Sequence, residues 1–221
     1  MTTFDNITWY ISTLLKVFML LATGIAVWYG QWFNAFLALV AFGLSWTPAI
    51  FEKNLKVSLP GEIELILDFF IFASIYLGSM RGYYTSYWWW DILLHSSSGF
   101  VAGLIGFLLI YILNEEARVK MNLGPAFIFI FTFCFAITIG VLWEIWEFGM
   151  DLAFDLGLQH NSLHDTMWDL TVDTLGALLA GLAGAFYVKK VPIPLFERMV
   201  KRFLSKNRLI FNRIMKTKIH K

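Results

Sequence analysis

Apolar runs of about 20 residues recur along this chain, separated by short polar breaks, and no other feature limits its fold so severely. A bilayer core of about 30 Å takes a helix of about that length to cross. Lipid offers no partner to a backbone N–H or C=O, so such runs must be helices that satisfy their own hydrogen bonds. Six runs stand out, near Ile11 to Tyr29, Trp32 to Phe51, Glu62 to Met80, Trp90 to Leu113, Ala126 to Asp151 and Thr166 to Val188. The third begins EIELILDFF and carries Glu62, Glu64 and Asp68 in its first two turns, so a five-span alternative with that segment at the surface stays open. Composition points the same way. The chain is 58% hydrophobic and 15% charged, more apolar than a soluble domain of 221 residues could hide in one core. The expected fold is all-α, a polytopic integral membrane bundle of about six helices.

The basic residues orient the bundle, because Lys and Arg gather on the cytoplasmic side. With both termini cytoplasmic, sixteen of the 17 basic residues fall on that side and Arg81 alone falls outside. Lys16 enters this count as a residue near the entry of the first helix. The N-terminal MTTFDNITWYISTLLK lacks the basic start and cleavage site of a secretory signal, so the first run is expected to remain as a span. The organisation expected is a single transmembrane domain over residues 1–190 and a basic amphipathic cytoplasmic tail over 191–221. In that tail Leu195, Phe196, Met199, Val200, Phe203 and Leu204 share one helical side and basic residues fill most of the rest. Such a helix suits anionic lipid of the inner leaflet. The break RGYYTSYWWWD reads as an interfacial aromatic belt. A formal net charge of +1 gives no reason to expect a nucleic-acid partner, and the lone Cys134 lies in an apolar run as a packing residue. The expected location is the bacterial cytoplasmic (inner) membrane, with membrane lipid as the surroundings.

Ionisable groups inside the hydrocarbon are costly and mark functional paths. WDILLHSSSGF sets Asp91 and His95 four apart, on one helix face, with Ser98 and Gly99 following on roughly that side. VLWEIWEFGMD sets Glu144, Glu147 and Asp151 on one face, and DTMWDLTVD does the same with Asp165, Asp169 and Asp173. The alternating direction of the spans brings all three stripes to the outer half of the membrane, where LGLQHNSLHD adds His160 and His164. These stretches contain no Lys or Arg, so bound cations or shared protons must neutralise the acids. Carboxylates with imidazole suit a divalent metal such as zinc, iron or manganese. Taken as metal ligands are His95, Glu144, Asp169 and Asp173, with Glu147 as the catalytic base. Asp91, Asp151, His160, His164 and Asp165 are weaker candidates, since Asp165 suits an N-cap, Asp151 sits at a helix end and the histidines lie in a loop. Beneath the acids Gly99 and Gly103, with Gly176, Ala180 and Gly184, let backbones approach closely.

The motifs DILLHSSSGF, LWEIWEF and LGLQHNSLHDTMWDLTVDTLGAL, in this order, resemble the YjdF-like predicted inner-membrane proteins, a group without a settled function. The resemblance covers roughly the second half of the chain. It implies that His95, Gly99, Glu144, Glu147, Asp165, Trp168, Asp169 and Gly176 occupy recurring positions. It does not extend to His160 and His164, because the family's segment between Gln159 and Asp165 is shorter and lacks matching histidines.

Three functions remain open from the residues. The first is a metal-dependent membrane-embedded hydrolase acting on a lipid or lipid-linked substrate. The second is a proton- or cation-coupled transporter, and the third a non-catalytic membrane accessory protein.

Overall fold

The computed structural model describes residues 3–55, 58–115, 122–155, 157–159 and 162–207. Nine α-helices follow one another among these residues: α1 Thr3–Trp28, α2 Trp32–Leu44, α3 Thr47–Leu55, α4 Gly61–Ile71, α5 Tyr83–Ser86, α6 Trp88–Glu115, α7 Pro125–Phe154, α8 Leu163–Val188 and α9 Pro194–Lys206. α4 continues as a π-helix over Phe72–Met80. Six segments are long and apolar enough to cross a membrane: Asn6–Trp28, Trp32–Asn54, Gly61–Met80, Trp88–Asn114, Pro125–Phe154 and Leu163–Val188. The third of these, Gly61–Met80, is continuous and of crossing length, in line with the six-span expectation.

Local chemistry sets the ends. Gly30 adopts φ 69° in the turn between α1 and α2, a conformation open to glycine at little cost. Pro125 opens α7, where its missing N–H would have had no partner in any case. Ser162 caps α8, its carbonyl accepting the Asp165 N–H at 3.1 Å and its side chain lying 3.4 Å from the same N–H. α8 therefore begins three residues earlier than the apolar pattern suggests, and Asp165 sits in its first turn rather than at the cap.

The chain divides into two compact units, Met1–Trp90 with Lys201–Arg208, and Asp91–Val200 with Leu209–Lys221. In the first unit α1 packs on α2 and α4, and the Phe18 ring meets Phe72 and Tyr76 edge-on. Lys16 lies ten residues inside the span Asn6–Trp28, half-buried and 3.1 Å from the buried Asp68 carboxylate. Arg202 forms an ion pair with Glu62, and the buried Asn207 side chain bonds both backbone groups of Ser58 at 2.7 Å.

In the second unit α6 and α8 run parallel with α7 antiparallel, in contact along glycine-lined seams. A side chain at Gly99 would strike the Asp173 carbonyl oxygen, and one at Gly176 would strike that of Ser96. Lower down, Gly103 faces Ala180 and Gly181 faces Phe129. The small residues thus hold helix backbones in contact, as their spacing leads one to expect. Phe196 of α9 is buried against Phe107 at a ring separation of 5.0 Å, and Met199 and Val200 are buried as well. The expected amphipathic helix is present, and Phe196, Met199 and Val200 on its apolar side are covered by protein. Residues 208–221 of that tail lie outside the described residues.

Candidate functional site

Contact between Gly140 and Asp173 sets the geometry of the acidic stripes in the second unit. A Cβ on Gly140 would lie 2.7 Å from Asp173 Oδ2, so α7 and the Asp173 carboxylate meet with nothing between them. On the third side, His95 Nδ1 lies 3.3 Å from the same oxygen, and the Ser98 hydroxyl donates to Asp173 Oδ1 at 3.0 Å. Gly140, Asp173 and His95 therefore share one level. Four residues along each helix, about 6 Å by the helical rise, stand Glu144, Asp169 and Asp91. The helix directions carry all three towards the same end of the unit. The result is two tiers, an inner one of His95, Asp173 and Ser98 and an outer one of Asp91, Asp169 and Glu144.

Burial sharpens the arrangement. His95, Glu144, Asp169 and Asp173 are all buried, and Asp91 is half-buried. His95 turns Nε2 towards Asp91 Oδ1, 3.7 Å away, while Nδ1 faces Asp173. Ligand atoms of Asp91, His95 and Asp169 all lie within 4.8 Å of one another. Glu144 is 5% exposed; its Oε2 accepts from Gln159 Nε2 at 3.3 Å, while Oε1 is buried with no hydrogen-bond partner. A buried carboxylate oxygen left without a donor costs on the order of 1–3 kcal/mol.

The remaining candidates occupy other positions. Glu147 accepts from Trp143 Nε1 at 2.9 Å, on an exposed stretch of its own helix. Asp151 accepts the backbone N–H groups of Leu158 and Gln159 at 2.7 and 2.9 Å, so both of its oxygens hold the turn after α7. His164 is exposed, and its Nε2 accepts from Trp168 Nε1 at 3.1 Å. Asp165 stays in the first turn of α8, and His160 lies outside the described residues.

Gln159 escapes the sequence reasoning. Anchored by Asp151, it donates to Glu144 Oε2 and to Thr166 Oγ1, the latter at 3.0 Å, tying the turn to α7 and α8 together. An uncharged residue in a short loop gives no periodic signal. Its nearness to a stripe of acids is the one hint the sequence offers.

Six apolar spans and a carboxylate–histidine cluster define the class, a polytopic membrane protein with ionisable groups buried among its helices. The chain belongs to the family described as predicted membrane protein (DUF2238), the match covering residues 7–190. An uncharacterized protein of Thermotoga maritima is 30% identical over 144 residues, 65% of this chain and 71% of the relative. No solved structure matches the chain. The family, like the group noted for its motifs, carries no assigned activity.

Proposed function

We propose that the second unit holds a divalent metal ion at Asp91, His95 and Asp169 and uses it to hydrolyse a lipid or lipid-linked substrate. The observation that carries this reading is the orphaned Glu144 Oε1, a buried acceptor beside a cluster whose stretches supply no Lys or Arg. Donor chemistry fits as well. One imidazole and several carboxylates suit zinc, iron or manganese. Ligands about 2.1 Å from one ion stand about 3.4 Å apart in a tetrahedral site, so groups now within 4.8 Å of one another would need to close by up to about 1.4 Å.

Asp173 then serves a different purpose from a ligand. It takes the other nitrogen of His95, an arrangement that fixes the tautomer and orientation of a metal-binding imidazole. Ser98 holds Asp173 in turn. Glu144 is better placed than Glu147 to receive a proton, since it has a free buried oxygen while Glu147 is bonded to Trp143. An ion in this site would lower the pKa of a coordinated water and polarise an ester or phosphoester oxygen. Glu144 would accept the proton that such a water releases, and Gln159 would hold the carboxylate in place through its other oxygen. Acids carried within helices long and apolar enough to cross the bilayer favour a lipid-borne substrate.

Elemental analysis of the purified full-length protein tests the reading. Stoichiometric divalent metal is expected in the wild type and lost in both His95→Ala and Asp169→Ala. Wild-type protein that stays metal-free after incubation with zinc, iron and manganese salts would sink it.

A further inference from the structure

Glu147 and two tryptophans beside it on α7 take no part in the cluster just described. Counted from Glu144 round the helix, Glu147 lies at about 60°, Trp143 at about 100° and Trp146 at about 160°, all to the same side. Glu147 is half-buried, at the edge between the buried stripe and the exposed face, and both indoles lie on that face, 45% and 49% exposed. The two rings are 4.9 Å apart, with their planes inclined by 34°. Trp143 Nε1 donates to Glu147 Oε1 at 2.9 Å, while Glu147 Oε2 has no hydrogen-bond partner among the described residues.

An interfacial belt accounts for the rings and leaves the carboxylate unexplained. α7 contains no Lys or Arg, so its own helix supplies Glu147 with no cation, and His95 is taken up by Asp91 and Asp173. A carboxylate at the margin of a lipid-facing surface is costly without a partner. The 30 residues of α7 make a helix about 45 Å long, against a hydrocarbon core of about 30 Å, so its ends reach the headgroup layer. Glu147 stands about 10 Å from the C-terminal end of α7, near the boundary where headgroups begin.

We propose that Trp143, Trp146 and Glu147 form a headgroup seat for a phospholipid that bears a primary ammonium. The ammonium donates to Glu147 Oε2, the oxygen left without a donor, and a tryptophan face attracts a cation that comes within about 6 Å of its centroid. A quaternary ammonium has no N–H to give the carboxylate, so the seat favours the primary amine. Glu144 is one turn further from the C-terminal end, about 4.5 Å by the helical rise, so a phosphate on the acyl side of the ammonium comes to the level of the outer tier. The seat names the substrate class of the proposed hydrolysis and rests on that reading for its role, whereas the binding itself needs no metal.

The test uses full-length protein in detergent, titrated with phosphatidylethanolamine and, separately, with phosphatidylglycerol of the same acyl chains, the bound lipid being counted by native mass spectrometry. A preference of about tenfold for the ethanolamine lipid is expected, the order of a desolvated cation–π contact with a carboxylate beside it. Glu147→Gln should erase the preference, and His95→Ala, which removes a proposed metal ligand, should keep it. A metal-free wild type that still prefers phosphatidylethanolamine sinks only the hydrolytic reading and leaves the seat standing. Equal affinity for the two lipids, a wild-type preference in Glu147→Gln, or free ethanolamine competing as strongly as the lipid overturns the proposal. Should Glu147→Gln fail to fold, Trp146→Leu decides: it removes one indole and spares the Trp143–Glu147 hydrogen bond, and an undiminished preference there is equally fatal.

Discussion

His95 illustrates what a sequence can and cannot say about a single residue. Its spacing from Asp91 places the two on one face, and its depth makes a buried role the natural expectation. Which acid meets which nitrogen is not periodic information. It depends on the glycine contacts that bring Asp173 against Gly140 and Gly99, and these turn Nδ1 to Asp173 and leave Nε2 to Asp91. Asp173 accordingly passes from expected ligand to orienting group in the proposed site, and Asp91 takes the ligand position. The two assignments predict different losses. Asp173→Asn should weaken metal binding by about 10–100-fold, the usual effect of removing an outer-shell partner, while Asp169→Ala should abolish it. Competition with a chromogenic chelator measures both. Gly176→Val presents another single-residue test, because its side chain would strike the Ser96 carbonyl. A loss of about 1–3 kcal/mol is expected, read as a lowered unfolding temperature in detergent.

Among elements, the long spans were legible because about 20 apolar residues leave few alternatives. Their ends were less so. α8 starts directly after the Ser162 cap, three residues before the apolar pattern suggests, since capping chemistry sets a helix terminus where hydropathy does not. The π-helix after Asp68 has no signature in FASIYLGSM that distinguishes it from α-helix. α9 is the clearest case of a pattern with two physical solutions. An amphipathic basic helix suits lipid and suits a protein groove equally, and here protein covers Phe196, Met199, Val200 and Phe203. Phe196→Ala should therefore destabilise the folded protein by about 3–5 kcal/mol, as for a buried core phenylalanine. Thermal unfolding in detergent gives the answer; a helix held only by lipid would show little change.

For the whole molecule, an even number of spans carries a topological consequence that no single helix does. The segment after the third span and the segment after the sixth should face opposite sides, with both ends of the chain on one side. In a Cys134→Ser background, Ser86→Cys and Lys190→Cys should be labelled by a membrane-impermeant thiol reagent from opposite faces of sealed vesicles. Labelling of both from one face would break the six-span account. The Asn207–Ser58 tie adds a consequence in time. Its partners are 149 residues apart, and Arg202 likewise reaches back to Glu62. At about 5–20 residues per second, a ribosome needs of order ten seconds to deliver Asn207 after Ser58 has emerged. Until then the backbone of Ser58 and the carboxylate of Glu62 await their partners, and Phe107 lacks its cover from Phe196. Among the described helices α9 is thus the last to find its partners: a chain that stopped before it would carry every span and still lack the contacts to Ser58, Glu62 and Phe107.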